Sequence, residues 1–93
     1  MPLYSGPVRI LDTNGFLLTV GMAEIEPDED AGAWRGTLEV FGGTAVAGKA
    51  LVVDLETNGH KGRAQLIPID DKGETAHSMI VGLGPNPFEP AGP

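Results

Sequence analysis

The chain has 93 residues, 41% of them apolar, and thirteen carboxylates against six lysines and arginines give a formal charge of −7. That length supplies one small domain, and the apolar share suffices for one core and argues against a globally disordered chain. With no basic run to offset the charge, nucleic acid and anionic membrane surfaces are disfavoured as partners, and with no cysteine there is neither disulfide nor thiolate zinc site.

The opening "MPLYSGPVRIL" has no charged region, apolar stretch or small-residue cleavage site of the secretory kind. No apolar run approaches the roughly 20 residues that cross a bilayer. A soluble cytoplasmic protein is expected. Fourteen glycines and eight prolines punctuate short runs of Val, Ile, Leu and Thr, the pattern of an all-β chain built from hairpins.

Strands are expected over 8–12, 16–26, 34–41, 49–57, 60–69 and 74–83, with a short extra strand over 44–47. The connections "TNG", "PDEDAGA", "GGTAVAG", "NG" and "DDKG" are short. Neighbours in sequence are therefore expected to be antiparallel neighbours in space. The fold this predicts is a small six-stranded antiparallel meander, closed or partly open as a barrel, over residues 1–84. A proline-rich extended tail follows over 85–93.

In the first hairpin a three-residue loop, Thr13, Asn14 and Gly15, pairs Asp12 with Phe16. It then sets Ile10 against Leu18 and Val8 against Val20, with Arg9 facing Thr19. A two-residue loop would set Ile10 against Thr19 and Arg9 against Val20, which sorts apolar from polar less well. The second connection brings "EIEPDED", whose Glu26, Asp28 and Asp30 could offer oxygens to calcium. It lacks the spaced ligands, glycine and terminal glutamate of an EF-hand and reads as a solvated loop.

The third strand alternates Trp34, Gly36, Leu38 and Val40 on one face with Arg35, Thr37, Glu39 and Phe41 on the other. Trp34 is the largest apolar contributor to the predicted core. In "GGTAVAGKA", Gly43, Gly48 and Lys49 match the spacing of a phosphate-binding loop. Ala50 stands where the magnesium-binding hydroxyl is needed, and "LVVDLE" reads as strand where a helix is needed, so the stretch is a glycine-rich connection.

Asn58–Gly59 between alternating strands is the strongest hairpin signal in the chain. A two-residue turn opposes Asp54 to Arg63 and Glu56 to Lys61 while gathering Leu51, Val53, Leu55, Ala64 and Leu66 on one face. The basic cluster "HKGR" is therefore read as two cross-strand ion pairs rather than an anion site, leaving His60 beside the turn. One register of the last hairpin turns His77 inward, where a satisfied, half-buried histidine is expected, with no carboxylates evidently grouped around it for a metal. Ser5 and Ser78 sit in no nucleophile motif.

No catalytic residue, cofactor or metal is implied. The leading expectation is a non-enzymatic binding or assembly module that self-associates through an edge strand or through the tail, where Pro87 and Phe88 offer a proline-flanked aromatic to a groove. A homo-oligomer or a protein partner follows from it. The alternative is a sensor of a small anionic ligand held by Arg9, Trp34 and Arg35 at a barrel mouth, although alternation puts Trp34 and Arg35 on opposite faces. A small hydrolase or isomerase is the remote third reading.

Overall fold

Residues 4–27, 34–44, 46–57, 59–71 and 73–84 are described by the computed structural model. They form an all-β closed barrel of six antiparallel strands: β1 (Tyr4–Leu11), β2 (Leu17–Pro27), β3 (Trp34–Phe41), β4 (Leu51–Thr57), β5 (His60–Asp70) and β6 (Thr75–Leu83). The order around the ring is β1-β2-β3-β6-β5-β4, and β4 closes on β1. The expected tail over 85–93, with Pro87 and Phe88, lies outside the described residues, as does the acidic loop at Asp28 and Asp30.

Sequence neighbours are spatial neighbours except at β3 and β4. Two three-stranded hairpin runs, β1-β2-β3 and β4-β5-β6, meet along the β3–β6 and β4–β1 seams. The spatial order β4-β1-β2-β3 is a Greek key. Because β3 and β4 stand opposite one another in the ring, their connection must cross the end of the barrel where β1, β3 and β5 finish. Those finishing points define the upper end.

The described residues of that crossing, 42–44 and 46–50, form turns rather than the expected extra strand over 44–47. The backbone turns repeatedly, with Thr44 N donating to Phe41 O, Ala47 N to Thr44 O and Lys49 N to Val46 O. Val46 is fully buried, so the crossing closes the upper end with a side chain. A run of turns can drop a residue into the barrel mouth, whereas an extended strand would have needed a pairing partner that both seams already occupy. Gly42 N donates to Glu74 O at 2.7 Å, which ties the crossing to the β5–β6 turn.

The first hairpin follows the expected three-residue loop only at its tip. Asp12 N donates to Phe16 O, Asp12 Oδ1 accepts from Asn14 N and Phe16 N, and Gly15 takes a positive φ of 92°. Leu11 pairs with Leu17, but Ile10 then pairs with Thr19, Arg9 with Val20 and Val8 with Gly21. A bulge at Leu18 shifts the register by one residue. The reason lies further along β2. Without the shift, Met22, Glu24 and Glu26 would share the inward parity of Leu18 and Val20, placing two carboxylates in the core. With it, Gly21, Ala23 and Ile25 point in.

The interior is filled by Val8, Ile10, Ile25, Leu38, Leu55, Leu66 and Ile80, each no more than 1% exposed. Each aliphatic side chain so buried contributes about 1.5–3 kcal/mol. Trp34, 1% exposed, fills the lower end, where β3 begins. Its indole occupies space left free by Gly82 on β6: a Cβ there would lie 2.4 Å from the ring. Trp34 is the core residue its alternation predicts.

Candidate functional site

The β4–β5 hairpin has the expected register, with Thr57 opposite His60, Glu56 opposite Lys61 and Asp54 opposite Arg63. Arg63 Nε donates to Asp54 Oδ1 at 3.1 Å and Nη2 to Oδ2 at 3.5 Å. The hydrogen bond Arg63 donates to Asp54, then the charge of that carboxylate, raises the Arg63 pKa above its ordinary value. One expected pair is replaced. Glu56 Oε1 lies 3.1 Å from Arg9 Nη1 on β1, not against Lys61. Register alone puts Lys61 and Arg9 on opposite sides of Glu56, and the β1–β4 seam brings the arginine fork into reach. "HKGR" is thus partly neutralised, with Lys61 bridged to no carboxylate among the described residues.

The three residues expected to line a ligand mouth are not brought together. Trp34 is inside the barrel, Arg35 is exposed on the outer side of β3, and Arg9 is exposed on β1 beside Glu56. Arg9 borders a depression with Val20 and Glu56, whereas Arg35 borders another with Glu24, Glu26 and Met79.

His77 is half-buried and hydrogen-bonded, as expected, but not in the register that would turn it inward. It projects outward from β6, with its side chain 41% exposed, between two carboxylates. Nδ1 is 3.0 Å from Asp70 Oδ1 on β5, and Nε2 is 3.0 Å from Glu39 Oε2 on β3. Glu39 reaches it because β3 pairs with β6, setting the two residues opposite one another. Asp70 reaches it because the β5–β6 ladder slips between Pro68 and Asp70, leaving Ile69 out. The Asp70 hydrogen bond, then the Glu39 one, raises the His77 pKa above 6.5 against a smaller opposing effect of desolvation.

This trio is not arranged for the chemistry its residue types suggest. The carboxylates sit on opposite ring nitrogens, so they cannot converge with the imidazole on one cation, and no metal-competent group occurs among the described residues. Both nitrogens are occupied, so neither faces a hydroxyl nucleophile. Ser78, on the same strand, is buried on the inner side.

A different feature stands out on the outer wall. Val20 and Met22 of β2 and Phe41 of β3 are 49%, 53% and 72% exposed, and they border one depression of about 330 Å³. Next to it, sharing Met22 and Glu39, lies a second depression of about 320 Å³ that Glu24, Thr37 and His77 also border. The first is apolar and the second acidic. Leu17, 51% exposed, begins the same β2, and Phe16, 70% exposed, immediately precedes it.

Sequence reasoning missed this face, although its signal was present. Phe41 has the outward parity by the alternation of β3 alone, and Val20 and Met22 gain it once the Leu18 bulge is placed. Comparison with protein-family models, curated proteins and solved structures finds no match to the chain. Among the described residues no helix is long and apolar enough to cross a membrane.

Proposed function

We propose that the protein is a non-enzymatic binding or assembly module of the cytosol, and that its contact surface is the outer face shared by β2 and β3. The observation that carries this reading is the exposure of Val20, Met22 and Phe41 around one depression. Contiguous exposed apolar side chains on a small acidic protein are the usual mark of a docking surface. The occupied nitrogens of His77 give no support to an enzymatic alternative.

Closure of the ring changes which surface serves association. An edge-strand contact would be confined to the stretches where β1 and β4 part, because those strands pair only over residues 9–11 and 54–56. The tail bearing Pro87 and Phe88 is retained as a second proposed contact, tested by comparing the mass in solution of the full chain and of residues 1–84.

The face itself is tested by photo-crosslinking in cells from a benzoylphenylalanine placed at position 22 or 41, with position 65 as the control. Gln65 is exposed on β5, which stands opposite β2 in the ring. Discrete adducts from 22 and 41 alone are expected. Equal adducts from 65, or none from 41, would overturn the assignment.

A further inference from the structure

We propose that the β2–β3 face docks an extended segment of another protein that carries a bulky apolar side chain followed, on the same side of the segment, by lysine or arginine. The inference rests on the docking face argued above and adds the chemistry of its occupant. Its basis is the order of side chains along the two strands. On β2 the outward positions run Val20, Met22, Glu24, Glu26; on β3, read in the same direction, they run Phe41, Glu39, Thr37, Arg35. The face is apolar at its upper end and gathers Glu39 and Glu24 one and two steps lower.

Side chains on one side of an extended chain repeat at about 6.6–6.8 Å, the same step as along β2 and β3. A segment lying along the groove can therefore set an apolar side chain against Val20, Met22 and Phe41. Its next two side chains on that side then face Glu39 and Glu24. Cations there meet Glu24 and Glu39, the second of which also contacts His77 Nε2 through Oε2 at 3.0 Å, whereas acids would be repelled both locally and by a net charge of −7.

The same sign argument removes the nearest competitors. A second copy brings another charge of −7, and Arg9 and Arg63, two of its six cations, are held in ion pairs of their own. The chain's tail offers Phe88 with Glu89 next to it, an acid close to where a cation is wanted. The occupant is a basic, aromatic or aliphatic segment of a different protein.

The test titrates the isotope-labelled full chain with three short synthetic peptides and follows backbone amide shifts. One carries phenylalanine with lysine two and four residues later. The second has glutamate for both lysines, and the third has alanine for phenylalanine. The lysine peptide is expected to move the amides of Val20, Met22, Glu39 and Phe41, to bind roughly tenfold or more tightly than the glutamate peptide, and to weaken with added salt. It is expected to weaken also against the E24Q variant. Equal binding of lysine and glutamate peptides at this face overturns the inference while leaving the docking face standing. A lysine peptide that at millimolar concentration moves none of these amides overturns the inference as well. Whether the face itself fails is decided separately, by the crosslinks from position 41.

Discussion

The indole of Trp34 lies directly on Gly82, its cross-strand neighbour between β3 and β6, so that a methyl group on Gly82 would fall 2.4 Å from Nε1 and Cε2. The contact fixes the lower end of the β3–β6 seam, the pairing that a simple meander would not contain. Gly82→Ala is expected to lower stability by about 1–3 kcal/mol in urea unfolding, because a buried ring has nowhere to move. The Trp34→Phe/Gly82→Ala double variant should lose less than the sum of the single losses.

Val46 makes a second, independent claim about topology. It is fully buried in the segment that crosses the upper end from β3 to β4. Val46→Ala should cost about 1–3 kcal/mol through lost burial and a residual cavity, measured by thermal or urea unfolding. Were the crossing a loose surface loop, the change would be close to neutral.

The two arginine–carboxylate pairs should respond unequally to deletion. Asp54 has a side chain 8% exposed, whereas Glu56 is 31% exposed, and each accepts an arginine at 3.1 Å. Removing Arg63 strands a buried acceptor, whereas removing Arg9 leaves a carboxylate that water can reach. Differential scanning calorimetry should show a drop of several degrees for Arg63→Ala and only ~1–2 °C for Arg9→Ala. Equal drops would mean that the burial of Asp54 is energetically unimportant.

His77 makes stability pH-dependent with a definite sign. Its pKa in the fold is raised, chiefly by the Asp70 hydrogen bond and next by the Glu39 one, above the 6.5 of an unperturbed histidine. The folded protein therefore holds that proton more tightly than the unfolded chain does. The contribution is fully present below about pH 6.5 and is lost as pH rises through the raised value. The Tm difference between wild type and His77→Gln should be largest in mildly acidic buffer and shrink toward alkaline pH. A difference that stays flat across that window would contradict the assignment.

Most strands were legible because their cues are local. Asn58–Gly59 and the alternation of 51–57 with 60–66 dictate one register, and Trp34 with Leu38 and Val40 marks an inward face. The Leu18 bulge was legible in principle, since the parity of apolar residues on β2 reverses between Val20 and Ala23. Residues near the turn favour the unbulged register, and only those beyond Val20 reveal the shift. The β3–β6 pairing had no local cue at all: nothing in "TLEVF" says whether β4 or β6 lies beside it. His77 and the β2–β3 face depend on that pairing and on two irregular ladders, so they could not be assembled from neighbours in sequence.

The outer face of β2 and β3 is the contact surface we propose for the protein. The most direct measurement is the affinity, by calorimetric titration, of the protein crosslinked from position 41 for wild type and for Phe41→Ser. Phe41 is 72% exposed, so its replacement should leave the fold and Tm almost unchanged. A complex at least roughly tenfold weaker is expected for the variant, the loss that follows when an aromatic anchor is removed. Equal affinity in a variant of unchanged Tm would contradict the proposed contact surface.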